Sequence, residues 1–132
     1  MEFSLTNQTV QNFDGDCAVL FAFLDKSNDD QAIQALINLN HFKAKVGKKL
    51  SLNFVDGFKV SRVIVLGLGE AELSAKNYAK ALISLTDTLE GEKVKSALIE
   101  EVNVDGYDQS WVHKTTARVM QNSIYQIEKV GT

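Results

Sequence analysis

Few residues in this sequence combine reactive chemistry with useful spacing, and Gly67-Leu68-Gly69 comes first. The pair follows the apolar run Val63, Ile64, Val65, Leu66. A Gly-x-Gly turn leaving a strand can press backbone N–H groups against a pyrophosphate at a helix start. That chemistry needs a third glycine three residues after the second, so that helix and strand pack closely. Glu72 holds that position, and Glu70 also sits in the turn. Two carboxylates there would repel a pyrophosphate. An acidic ribose partner belongs about 20 residues further on, at a strand end. Asp87 and Glu90 instead fall in or just after the next helix. No Gly-Lys-Ser/Thr follows, so this is no P-loop. The turn reads as structural, with both glycines relieving a tight strand exit.

The remaining candidates dissolve in the same way. His41 and His113 are the only histidines, and neither has a metal-ligand neighbour at helical spacing. Each reads as a surface or helix-end histidine. Cys17 is the only cysteine, which excludes an intramolecular disulfide and a cysteine-based metal site. It lies in an apolar run, where a buried inert thiol is expected. Asp14/Asp16 and Asp29/Asp30 suit turns and a helix cap, and Glu70/Glu72 and Glu100/Glu101 read as solvated charge. No serine sits in a Gly-x-Ser-x-Gly elbow. Trp111 reads as core or interface packing. Lys43, Lys45, Lys48 and Lys49 make the most basic segment, but without arginines, and with only Phe42 as an aromatic, they read as a solvated connection. No catalytic, cofactor-binding or metal-ligating residue is assigned.

The elements that would position these residues follow from periodicity. Glu2 to Thr6 alternates like a short strand near a sheet edge. Asn12 to Asp16 is a turn, and Cys17 to Leu24 is a buried strand. Asp25 to Asp30 leads into a helix carrying Ala32, Ile33, Leu36 and Ile37 on one face. Leu50 to Val55 alternates, with Leu50, Leu52 and Phe54 on one side, and can pair with the central strand as a hairpin across Asp56-Gly57. The stretch from Arg62 to Leu89 is strand, turn and helix in succession. Ser74 is its N-cap, Tyr78, Ala81, Leu82, Leu85 and Leu89 form its buried face, and Gly91 closes it. Ala97 to Val104 is a weaker strand. Asp108 caps a last helix presenting Val112, Thr116, Val119, Met120, Ser123 and Ile127. The order β, β, α, β, β, α, β, α defines an α/β fold with a mixed sheet flanked by helices.

With 132 residues, one domain is expected. The chain is 45% hydrophobic and 23% charged, as in ordinary globular proteins. A net charge of -3 gives no overall attraction to nucleic acid or anionic membrane. No basic segment followed by an apolar core opens the sequence, and no apolar run approaches the roughly 18 residues of a membrane span. With no proline, a proline-rich linker is excluded. A cytoplasmic setting is the expectation.

Several segments together resemble one family. MEFSL resembles the first strand of the amino-terminal domain of the leucyl (cytosol) aminopeptidases. NHFKAKVGKKLSL resembles their Phe-x-Gly-Lys-x-Gly segment, with Ala44 in place of the first glycine. RVIVLGLGEAELSAKNYAKAL resembles their hallmark strand, Gly-x-Gly and helix. Trp111 through SIYQIEKV resembles their last helix, with Tyr125 and Lys129 in matching places and Ile127 where an aromatic is common. The likeness runs the length of the chain.

The resemblance implies a three-layer, macro-domain-like fold over residues 1–132, serving as a single amino-terminal accessory domain. It implies a parent that is a hexameric two-metal exopeptidase releasing amino-terminal residues from peptides, with zinc, manganese or magnesium bound by a carboxyl-terminal catalytic domain. The Asn-Thr-Asp-Ala-Glu-Gly-Arg motif of that domain is missing here. The sequence ends near where the interdomain connection would begin, so an isolated domain or shortened chain without cofactor is expected. Two other classes compete: a macro-like module binding ADP-ribose or another nucleotide, and a DNA-contacting module using Lys43 to Lys49.

Overall fold

The computed structural model describes residues 5–6, 9–120 and 126–128. Its centre is set by two runs too apolar for a half-wet strand. These are β2, Cys17–Ala22, buried along its whole length, and β4, Arg62–Gly67, buried after Arg62. A strand that is apolar on both sides needs cover on both faces. The pleat divides the residues accordingly. Cys17, Val19, Phe21, Ile64 and Leu66 meet the helices on one face, while Ala18, Leu20, Ala22, Val63 and Val65 meet the helix on the other.

The first face is covered by α2, Ala75–Gly91, through Tyr78, Ala81, Leu82, Leu85 and Leu89, the five residues expected from the spacing. Beside it lies α3, Gln109–Val119, with Val112 buried. The opposite face is covered by α1, Gln31–Leu39, through Ile33 and Ile37. The result is three layers. Three side chains start the helices. Asp30 Oδ1 accepts from the Ala32 and Ile33 amides, Ser74 Oγ from Asn77, and Asp108 Oδ1 from Trp111.

The strands β1, Leu5–Thr6; β3, Lys49–Asn53; β5, Ala97–Ile99; and β6, Gln126–Glu128 complete a six-stranded sheet of order β1-β6-β5-β2-β4-β3. Among the described residues only β3 runs antiparallel, paired with β4 as the hairpin reading anticipated. β1 lies at the far edge, also as anticipated.

Four expectations need correction. The last helix ends at Val119, with Met120 as its cap, and Ile127 lies in β6 opposite Ile99 and Leu5. A three-residue strand is too short for its period to be told from a helix's. The Ala97–Val104 strand stops at Ile99, after which the Glu100 amide still donates to the Val19 carbonyl. Phe54 leaves the alternating face of β3: its φ is 55° and it is 81% exposed. Gly91 stays helical. Instead Lys93, at φ 57°, takes the left-handed position, with Lys93 N–H donating to Glu90 and Val94 N–H to Leu89. That is the Schellman pattern, and Val94 closes it by packing on the core. Phe3, Ser123, Tyr125 and Lys129 lie outside the described residues.

Candidate functional site

The chain runs from β2 outward to β3 and β4, then returns through α2 to β5 on β2's other side. Open α/β sheets take ligands at such a reversal, outside the strands' carboxyl ends. A cavity of about 740 Å³ lies there. Its walls are the end of β2 (Phe21 to Phe23), the loop Lys26 to Asp30, and Glu100 to Asn103 after β5, with Gln11 and Ala71.

The chemistry of this cleft is acidic. Asp29, Asp30, Glu100 and Glu101 line it, against Lys26 as the cationic side chain. Asp30 is engaged as the α1 cap, and its Oδ2 lies 3.5 Å from Gln11 Nε2. Glu101 is held under the chain with a side chain only 9% exposed. Its Oε2 lies 3.7 Å from His113 Nε2, too far for a hydrogen bond, and neither atom has another partner among the described residues. Burial, and then the negative charges of Asp29 and Asp30, push the Glu100 carboxyl from 4.5 up to about 7.

The sequence reading of Glu100 and Glu101 as solvated charge therefore fails. Consecutive residues at a strand end carry no periodic signal. The burial comes from a loop 70 positions earlier and from α3. Folding favours protonated Glu100, so that contribution is full below pH 4.5 and lost as pH rises to about 7. Glu100→Gln is expected to raise stability by about 2 kcal/mol at pH 8 and to change nothing at pH 4, in urea titrations at the two pH values. A variant no more stable than the parent at pH 8 would refute the assignment.

The other candidates sit elsewhere. At Gly67-Leu68-Gly69 all three N–H groups are consumed internally, donating to the carbonyls of Lys48, Ala22 and Ala44. None is left for a phosphate. Gly69 does supply a positive φ, 81°, for the strand exit. Gly67 serves something else: a Cβ there would lie 2.3 Å from the Lys45 oxygen. The basic segment is what passes there, so two segments that look separate in sequence form one interlocked unit. Lys43, Lys45, Lys48 and Lys49 are exposed on it. His41 is exposed just beyond α1 at φ 52°. Cys17 is fully buried. Asp16 accepts from the Lys95 amide and ties the Asn12 to Asp16 turn to the segment that leads into β5. Trp111 stacks on Tyr107 with ring centroids 4.0 Å apart. Among the described residues, no three His, Cys, Asp or Glu side chains are gathered to hold a metal ion, and no helix is long and apolar enough to cross a membrane.

A three-layer α/β domain with its cleft at the strand reversal is macro-like. The Mycobacterium tuberculosis DarG macrodomain superposes with a TM-score of 0.75 over 96% of this chain and 97% of that one, at 11% identity. A mutant tomato leucine aminopeptidase superposes at 0.71 over 100% of this chain and 33% of its own, at 14% identity. Thermosipho africanus DarTG, solved in complex with ADP-ribose, gives 0.70 over 98% and 42%, at 9% identity. At these identities the likeness is one of fold. In sequence, the model of the cytosol aminopeptidase family, N-terminal domain, matches residues 10–131. A probable cytosol aminopeptidase of Vesicomyosocius okutanii subsp. Calyptogena okutanii (strain HA) is 47% identical over 131 residues, covering 99% of this chain and 27% of the relative. One from Tolumonas auensis (strain DSM 9187 / NBRC 110442 / TA 4) is 25% identical over 146 residues, covering 100% of this chain and 29% of the relative. The chain belongs to the cytosol aminopeptidase family and corresponds to its N-terminal domain. It spans little more than a quarter of these relatives' length.

Proposed function

We propose that this chain, residues 1–132, is a single noncatalytic accessory domain of a cytoplasmic leucyl aminopeptidase. The parent would be a two-metal exopeptidase releasing amino-terminal residues from peptides. The carrying observation is the family match over residues 10–131 beside relatives more than three times longer, whose further length leaves room for a carboxyl-terminal catalytic domain. The metal ions, zinc or manganese, belong to that domain. The described residues of this chain offer them no ligand cluster. The domain's role is architectural: it helps shape a hexamer and controls access to the active-site cavity. The chain alone is expected to hydrolyse no leucine anilide with added manganese or zinc. Turnover above a blank, abolished by a chelator, would overturn this reading.

The cleft also motivates a second reading, a module for ADP-ribose, the ligand in the DarTG complex. Its four carboxylates and the engaged Gly67-Leu68-Gly69 amides oppose a diphosphate. The accessory-domain reading is therefore preferred.

A further inference from the structure

We propose that the free edge of β3 is a self-association surface. Two copies of this chain join their β3 strands antiparallel, across a two-fold axis at Ser51, into one continuous sheet. The inference goes beyond the accessory-domain reading and does not rest on it, since it concerns this chain's own edge.

The edge is defined by its hydrogen bonds. β3 pairs with β4 on one side, and among the described residues no strand lies beyond it. The Gly67 amide donates to the Lys48 carbonyl, and the Phe54 amide to the Ser61 carbonyl. In the register of this antiparallel pair, the even-numbered residues of β3 therefore bond inward to β4. The N–H and C=O groups of Lys49, Ser51 and Asn53 point outward from the sheet. All three residues are exposed. Such an edge is a template for another strand unless charge or a bulge blunts it. Here the charge stands at one end only, on Lys48 and Lys49.

The side chains select a second copy as the occupant. A two-fold axis at Ser51 lets all three outward residues pair: Ser51 with Ser51 of the second copy, and Lys49 with Asn53 in both directions. The same register sets Leu50 directly opposite Leu52 of the second copy, at the closer, non-hydrogen-bonded positions. Both leucines are only partly buried, at the margin of the core that α1 covers, and each gains the cover it lacks. Phe54 is held outward at φ 55° and is 81% exposed. It comes opposite Lys48 of the second copy, whose ammonium can lie on a ring face. The register also keeps the lysines of the two copies apart, against Asn53 and Phe54 rather than against each other. An edge of five residues buries less than the roughly 1,600 Å² of a standard interface, so the contact is weak and concentration-dependent.

The test is sedimentation velocity on the 132-residue chain at low salt, from about 10 µM to about 1 mM, the range in which so small an interface dissociates. A reversible monomer–dimer equilibrium is expected. Amide exchange should slow with concentration at Lys49, Ser51 and Asn53, and change little at Leu50 and Leu52, which already bond to β4. Mixed labelled and unlabelled chains should show an intermolecular contact between the Leu50 and Leu52 methyl groups. Asn53→Lys sets a lysine opposite Lys49 twice in each dimer and should weaken association about tenfold. Adding Lys49→Glu turns both pairs into opposite charges and should restore it. Both positions are exposed, and rescue by the second change excludes unfolding as the cause of the first loss. A chain still monomeric at the highest concentration, or a dimer whose three outward amides exchange as in the monomer, would overturn the proposal. So would an Asn53→Lys variant that associates as well as the parent, or a double variant that associates no better than Asn53→Lys.

Discussion

Gly67→Ala is expected to lower stability by about 3 kcal/mol, where Gly57→Ala costs about 1 kcal/mol. The contrast isolates the cause. Gly57 has the less permissive backbone, φ 90°, but open space around it, so an alanine there meets strain alone. Gly67 has no such φ, yet its added Cβ would lie 2.3 Å from the Lys45 oxygen, 2.6 Å from the Ala44 carbonyl carbon and 2.9 Å from Ala44 Cα. These are backbone atoms, and they cannot step aside as a flexible side-chain tip can. Moving them strains three bonds that tie the segment to the strand: Gly47 N–H to Gly67, Gly67 N–H to Lys48, and Gly69 N–H to Ala44. Urea titration should show the larger loss for Gly67→Ala, with a melting point lower by about 12 °C. Amide exchange at Gly47 and Gly69 should quicken first. Equal losses in the two variants would show that glycine matters here for chain flexibility rather than close approach.

This contact also marks how far the sequence could be read. β2 and β4 were legible because runs as apolar as CAVLFA and VIVL fit only strands covered on both faces. The buried face of α2 followed from its spacing, and Asp108 and Ser74 are chemically suited caps. The interlock of Gly67 with Ala44 and Lys45 was not legible, since no local rule brings residues more than 20 positions apart to one point. For the same reason the glycine pair looked like a strand exit, although Gly67 answers to a crossing backbone. β6 escaped because three residues carry no period, and its place is set by the slot between β1 and β5. Lys93 escaped because the left-handed turn after α2 is fixed by where Val94 must pack, which outweighs the preference for glycine. The acidic cleft was the largest omission. Glu100 and Glu101 look like surface charge until the Lys26 to Asp30 loop and His113 of α3 are laid over them.

Raising the pH from 8 to 11 is expected to remove about 4 kcal/mol of stability through two buried acids that the fold keeps protonated. Burial pushes the Cys17 thiol from 9.0 up to about 12, with nearby Arg62 offsetting part of it. Burial likewise raises the Tyr78 phenol from 10.0 to about 12. Both side chains lie between the sheet and α2, at 0% and 2% exposure, so solvent screens neither. In each case the folded value is the higher one. The contribution is therefore complete below the ordinary value, pH 9.0 or 10.0, and fades as pH climbs to about 12. The Tyr78 hydroxyl lies 2.6 Å from Thr116 Oγ1, which itself donates to the Val112 carbonyl, so the phenol is the donor of the pair. An ionised Tyr78 would have to draw that proton away from Val112. Tyr78→Phe removes the phenol but leaves the bond from Thr116 to the Val112 carbonyl intact, and Cys17→Ala removes the thiol. The double variant should begin less stable at pH 8 yet lose about 4 kcal/mol less than the parent between pH 8 and 11, in paired urea titrations. If parent and double variant decline in parallel, the alkaline loss comes from the surface lysines. In that case the core between β2, β4 and α2 is not as dry as the packing requires.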